Sequence, residues 1–93
     1  MAHRVVWSER AYQDLESIAN YIAEDSPTYA RAVVKSVVEQ TRMLIRFPRS
    51  GRKVPEFDEN IRELIAYSYR INYRLDEDDV LIAAIIHGKR FLH

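Results

Sequence analysis

The stretch RELIAYSYRINYRLDEDDVLIAAIIHGKR, Arg62 to Arg90, decides the fold, because it reads as three strands in succession. From Tyr69 to Leu75 the alternation is strict, with Tyr69, Ile71, Tyr73 and Leu75 set against Arg70, Asn72 and Arg74. Period two marks a strand with one buried face, so the first set is expected to pack and the second to face solvent. Burying four such side chains stabilises by roughly 1.5–3 kcal/mol each before conformational entropy is charged, against the ~5–15 kcal/mol net stability of a whole domain. Arg62 to Ala66 supplies the preceding strand, joined through a tight turn at Tyr67-Ser68. Asp76 to Asp79 is an exposed hairpin tip, four acids between two apolar runs. Val80 to Ile86 is apolar without a break, which predicts a strand buried by helices on at least one side. It ends in His87-Gly88-Lys89-Arg90, and these groups, beside Arg70 and Arg74, are expected to converge near one edge of the sheet.

Outward from that sheet, Lys53 to Asn60 is a polar connection in which Val54, Pro55 and Phe57 are expected to tuck under the strands. Phe47-Pro48-Arg49-Ser50-Gly51-Arg52 ends a helix, since proline cannot continue one and glycine permits the turn. That helix opens at Ser26-Pro27, a capping serine before a proline that loses no hydrogen bond. Its stripe of Ala30, Val33, Val34, Val37, Val38, Thr41, Leu44 and Ile45 keeps helical spacing. With so many valines it depends on packing rather than on intrinsic propensity. At ~100° per residue, Arg31, Lys35, Arg42 and Arg46 fall within about 60° of one another beside the stripe. They form either a solvated face or a contact surface for an acidic or nucleic-acid partner. An earlier helix begins at the Ser8 cap, carries Ala11, Leu15, Ile18, Ala19 and Ile22 on one face, and stops near Asp25. His3 to Trp7, β-prone, precedes it as a strand of the same sheet.

The order of strand, two helices and three strands predicts a single α+β domain over residues 1–93: a helical hairpin on one face of a small, mainly antiparallel sheet. The 93 residues are 47% hydrophobic and 30% charged, the composition of an ordinary globular domain. Without cysteine there is neither disulfide nor thiolate metal site. The acids at Asp76 to Asp79 lack the loop length, glycine and terminal glutamate of a calcium loop. No cofactor and no metal are expected. No segment approaches the ~18 apolar residues that span a bilayer, and no apolar run follows Met1, so a cytoplasmic location is expected. Fourteen basic and fourteen acidic residues cancel. They are nevertheless segregated: residues 31–53 hold seven cations and one acid, residues 56–79 eight acids and three cations. A neutral chain with such a distribution can present a local basic face.

Taken in order, the opening strand before Ser8, DLESIANYIAEDSP, FPRSGR, the REL at Arg62 to Leu64, YRINYRL and the closing IIHGKR resemble the RelE/ParE superfamily of bacterial toxins. The resemblance spans essentially the whole chain. It implies a toxin held inactive in a hetero-oligomer by a cognate antitoxin whose flexible segment folds over the toxin surface. The contact expected on the second helix involves Ala30, Val34, Val38, Arg42 and Arg46, with the sheet edge as a second area. RelE-like toxins cut messenger RNA in the ribosome, whereas ParE-like toxins poison DNA gyrase. The REL and YRINYRL pattern with terminal HGKR looks more like the ParE side, which makes the chain an interaction protein without catalysis of its own and gives His87, Lys89 and Arg90 the target contact.

The alternative is a metal-free endoribonuclease. Such cleavage needs a base for the ribose 2′-hydroxyl, an acid for the leaving oxygen and cations at the phosphate. Arg62, Arg70, Arg74, His87 and Arg90 are the candidates. The acid or base that active relatives carry near the C-terminus is missing, position 91 being Phe91. The plainer roles are a strand-end hydrogen bond to backbone for His87 and an ion pair with Glu63, or with the acids of residues 56–59, for Arg62. A third reading is a non-toxic binding module on the same fold.

Overall fold

A computed structural model describes residues 3–54, 57 and 60–88. Strand β1 (Arg4–Trp7) leads into helix α1 (Glu9–Ala23), followed by helix α2 (Pro27–Met43), β2 (Arg52–Lys53), β3 (Ile61–Ala66), β4 (Tyr69–Leu75) and β5 (Asp79–His87). The sheet order is β1-β5-β4-β3-β2, with β1 parallel to β5 and every other pair antiparallel. The expected helical hairpin on a mainly antiparallel sheet is therefore what forms. Strand β2 is an addition: two residues are too short to show any period.

Both helices start where their serines direct. The Ser8 oxygen accepts the Ala11 N–H at 2.9 Å and the Ser26 oxygen accepts that of Tyr29 at 3.1 Å, each satisfying an amide that the first turn leaves without a partner. The end of α2 departs from the expected stripe. After Met43 the chain tightens, with N–H groups of Leu44, Ile45 and Arg46 bonded three residues back. A 3₁₀ turn advances ~120° per residue instead of ~100°, which rotates Arg46 out of the row it was expected to share with Arg31, Lys35 and Arg42.

The core lies between helices and sheet and includes Val33, Val37, Leu44, Ile71, Tyr73, Val80 and Ile82, all fully buried. The alternation in β4 holds on this side, since Tyr69 and Leu75 pack against the same cluster. The opposite side is less wet than expected, with Asn72 fully buried and Glu63 3% exposed. Buried Val54 tucks in as expected, Phe57 is exposed, and Pro55 lies outside the described residues.

The Phe47-to-Gly51 turn is fastened from below. The Tyr73 hydroxyl donates to the Pro48 carbonyl at 2.8 Å and accepts the Gly51 N–H at 2.9 Å. Arg62 donates to the carbonyls of Gly51 and Arg49 at 2.8 and 3.1 Å. A β-carbon at position 51 would lie 2.6 Å from the Tyr73 hydroxyl and 2.7 Å from the Glu63 carbonyl oxygen, so glycine is required by space.

Candidate functional site

A concavity beside β5 follows from unequal strand lengths. Strand β1 pairs with β5 only from Arg4 opposite Asp79 to Trp7 opposite Ile82. Ser8 then turns the chain into α1, while β5 continues to His87. Among the described residues, the flank of β5 beyond Ile82 has no neighbouring strand. A register shift on the other side of β5 leaves Ala83 unmatched, since Asn72 pairs with Ala84 and Tyr73 with Ile82. The bulged residue is held by α1 instead: the Ser8 hydroxyl donates to the Ala83 carbonyl at 2.9 Å. Two residues on, the Asp14 carboxylate accepts the Ile85 N–H at 3.0 Å, and Arg10 steadies that carboxylate at 3.6 Å.

Between α1 and this flank runs a groove of about 620 Å³, lined by Arg10, Asp14, Ser17, Ile18, Tyr21, Tyr69, Ile85, Ile86 and His87. Its lining combines Ile18, Ile85 and Ile86 with polar groups, and the main-chain groups beside it are those of an open sheet edge, the combination that accepts an added strand. One end is aromatic. Tyr69 and His87 meet edge to face with centroids 5.6 Å apart, and Tyr29 meets Tyr67 in the same way at 5.5 Å. Tyr67 occupies the two-residue turn between β3 and β4 with φ of 56°, a left-handed conformation unfavourable for a bulky side chain. Burial, together with neighbouring Tyr29 and Tyr21, raises the Tyr69 phenol above its ordinary pKa, so at neutral pH it is a hydrogen-bond donor and not a base.

Among the described residues, the cationic set singled out in the sequence does not assemble. Arg62 pairs in register with Tyr73, and His87 with Tyr69, so both belong to the helix-facing side of the sheet. They are two strands apart and offset by four residues, about 13 Å along the strands at ~3.3 Å per residue. Arg70 and Arg74 alternate onto the opposite face, at opposite ends of β4, with Arg74 3.5 Å from Asp76. For the described members, Arg70, Arg74 and His87, convergence at one edge is thus corrected by register: strand neighbours of odd and even number point to opposite sides. Lys89 and Arg90 lie outside the described residues. Of the positions expected to meet an antitoxin, Ala30 sits in the protein's own core and offers no surface, Val34 and Val38 are half-buried, and Arg42 and Arg46 are exposed.

Sequence reasoning missed Glu63. Arg62 does not pair with it, since the two side chains take opposite faces. Its carboxylate instead joins three strands: one oxygen accepts Arg52 of β2 at 2.6 and 2.8 Å, the other accepts Arg70 of β4 at 2.8 Å. Burial pushes this carboxyl up, but the two guanidiniums outweigh it and hold Glu63 below the usual carboxylate range. Such a group stays ionised at neutral pH and does not shuttle protons. The signal for it was available, an acid opposite Arg52 on one side and diagonal to Arg70 on the other, but only once register was known. Among the described residues, no cluster of histidine, aspartate or glutamate could hold a metal ion.

Comparison with known proteins accords with this architecture. The family described as the ParE toxin of the type II toxin-antitoxin system, parDE, matches residues 5–91. Y4kP of Sinorhizobium fredii is 35% identical over 91% of this chain and 88% of its own length. Toxin RelE2 of Caulobacter vibrioides is 32% identical over 94% of this chain and 97% of its own. In three dimensions, a chain from the chromosomal ParDE toxin-antitoxin system of P. aeruginosa superposes with a TM-score of 0.78 at 22% identity, covering 95% of this chain and 98% of that one.

Proposed function

From the premise that this chain belongs to the RelE/ParE superfamily of type II toxin-antitoxin toxins, we propose that it is a ParE-like toxin that inhibits DNA gyrase and is neutralised by a cognate antitoxin. The observation that supports this reading is the dispersal of the candidate groups among the described residues: Arg62 and His87 face the helices, Arg70 and Arg74 the opposite side. Phosphodiester cleavage needs a base, an acid and phosphate-binding cations at one point. A protein that acts by binding needs no such convergence. The match to the ParE family over residues 5–91 favours the same side.

The antitoxin has two surfaces to cover, the groove along the open flank of β5 and the exposed side of α2. A strand added beside residues 83–87 must replace the Asp14 carboxylate as partner of the Ile85 N–H. Hydrogen exchange with and without antitoxin tests this assignment: protection is expected across α2 and at Ile85, and unchanged exchange at both would refute it. His87, with Lys89 and Arg90, is assigned to the gyrase contact. Normal gyrase poisoning by the double variant Lys89→Ala, Arg90→Ala would remove the two cations from it.

The deciding experiment follows labelled precursors into DNA and into protein during the minutes after the chain is induced without an antitoxin. DNA synthesis failing first is the expected result. Protein synthesis failing first would instead establish ribosome-dependent messenger RNA cleavage, the second reading, which the 32% identity to toxin RelE2 keeps in play. If neither changes while folded protein accumulates, the chain is a non-toxic binding module.

A further inference from the structure

The end of the molecule where α1 passes into α2 gathers Tyr21, Tyr29, Tyr67 and Tyr69, four of the chain's six tyrosines. Tyr21 lies in the last turn of α1, Tyr29 in the first turn of α2, and Tyr67 in the turn between β3 and β4. Tyr29 and Tyr67 meet edge to face with ring planes 87° apart. The Tyr69 phenol, raised in pKa first by burial, is raised further by Tyr29 and Tyr21, so these groups stand together. Packing does not absorb them. Tyr21, Tyr29 and Tyr67 remain 72%, 42% and 52% exposed, whereas Tyr73 is buried completely. Two rings at a right angle make the walls of a corner, and at these exposures the corner is open to solvent.

Tyr67 is strained in place. Its φ of 56° is unfavourable for a bulky side chain, at a turn position that glycine fills without strain. The fold gains from it only the contact with Tyr29, and strain of this kind collects where a side chain is held ready for something else. The charge around the corner has one sign. Glu24 and Asp25, both exposed, follow directly on α1, whose last turn carries no basic residue, so two carboxylates stand at the negative end of the helix dipole. Among the described residues no cation answers them: Arg10 approaches Asp14 at 3.6 Å, and Arg31 reaches the Thr28 hydroxyl at 3.5 Å.

We infer that this corner takes an arginine side chain from a basic segment of a partner polypeptide, its guanidinium against the rings of Tyr29 and Tyr67 beside Tyr21 and its N–H groups directed at the carboxylates of Glu24 and Asp25. A guanidinium suits the place because it is flat enough to stack on a ring and forked to meet a carboxylate. Single-stranded nucleic acid would also stack on tyrosines, but its phosphates would face two carboxylates and the carbonyl end of a helix. The corner is distinct from both surfaces assigned to the antitoxin. Tyr29 stands about 160° around α2 from Arg31 at ~100° per residue, and neither Tyr29 nor Tyr67 lines the groove beside β5.

Fluorescence anisotropy on the full chain uses a labelled, end-blocked peptide in which arginines alternate with glycines, and the same peptide with citrulline, which keeps the shape of arginine and loses its charge. The citrulline peptide should bind at least about tenfold more weakly. The arginine peptide should lose about as much on the double variant Tyr29→Leu, Tyr67→Gly, in which the glycine relieves the turn. Circular dichroism checks that this variant folds, and Tyr67→Gly alone, with a loss of at least about threefold, replaces it if it does not. Glu24→Gln, Asp25→Asn should weaken binding and flatten its salt dependence. Glu77 and Asp78, exposed acids of the hairpin tip, are the control: Glu77→Gln, Asp78→Asn should leave the affinity within about twofold. An arginine peptide that does not bind the wild type, binding lost at the tip rather than at the tyrosines, peptides that bind alike within about twofold, or an oligonucleotide bound more tightly than the arginine peptide overturns the inference. None of these readouts depends on toxicity, so the corner and the toxin reading fail separately.

Discussion

Substitution of Glu63 by glutamine isolates the buried ion pair that joins β2, β3 and β4. The carboxylate side chain is 2% exposed, that of Arg70 16% and that of Arg52 75%. The partners therefore contribute unequally. A charge-assisted hydrogen bond to a largely buried partner contributes about 1.5–3 kcal/mol, whereas the pair with solvated Arg52 contributes about 0–1 kcal/mol. Glutamine keeps an acceptor for one arginine, but it turns an amide N–H₂ toward the other and removes the negative charge that Glu63 sets against both guanidiniums. The expected loss at pH 7 is about 2–4 kcal/mol, a drop in Tm of roughly 10–25 °C for a domain of this size. The pH dependence gives the argument its sign. The folded carboxyl titrates below the unfolded one, so its contribution is fully present above the unfolded value of 4.5 and is lost as pH falls through the folded value. Denaturant titration of both proteins from pH 7 to pH 3, followed by circular dichroism, should show the gap narrowing in the acid range. A gap below about 0.5 kcal/mol at pH 7, or one that persists unchanged at pH 3, would refute the ion-pair account.

Three further substitutions separate the other local arguments. Gly51→Ala drives a β-carbon to within 2.7 Å of the Glu63 carbonyl oxygen and should destabilise by more than about 1–3 kcal/mol, measured by thermal melting, because that neighbour is backbone and cannot swing away. Tyr73→Phe removes both hydrogen bonds that hold the Phe47-to-Gly51 turn and strands the Pro48 carbonyl, for about 1–3 kcal/mol; proteolysis should then nick that turn first. Asn72→Leu runs the other way. Both polar atoms of the fully buried Asn72 amide lack a partner among the described residues, so an apolar side chain of similar volume should leave Tm unchanged or raise it, and a clear loss would mean that a bound water satisfies the amide.

The fold was legible because its elements are long enough to show a period. Seven residues of strict alternation identify β4, the two capping serines locate both helix starts, and an apolar run of seven identifies β5. What stayed hidden depends on relations between elements. Strand β2 is invisible alone and is held by the pair that Arg52 makes with Glu63 opposite it. The tightening after Met43 follows from a tertiary demand, since the Ile45 carbonyl must reach the His3 N–H at 3.1 Å to close the helix onto the sheet. The arrangement of the candidate cations was opaque for the same reason: residue types suited to phosphate chemistry were present, but among the described residues alternation sorts Arg62 from Arg70, and only register adds the separation of Arg62 from His87.

The groove, by contrast, was within reach of the sequence once length was taken as seriously as pattern. A strand that must turn at the Ser8 cap cannot cover a parallel neighbour more than twice as long, so an open flank on β5 is a geometric consequence of four residues set against nine. Open edges are hazards that stable chains shield with charge, bulges or covering elements. All three are present: the bulge at Ala83, the Asp14 carboxylate on the Ile85 N–H, and α1 lying alongside. A carboxylate is a shield that can be displaced, because an incoming carbonyl offers the same acceptor while Asp14 retains Arg10 and water. On this argument Asp14→Ala should expose the edge and promote self-association of the free toxin, readable by light scattering, while leaving an added strand no worse paired. A variant that stays monomeric at concentrations where the edge is otherwise uncovered would mean that α1 alone guards β5, and that a strand could not enter without moving the helix.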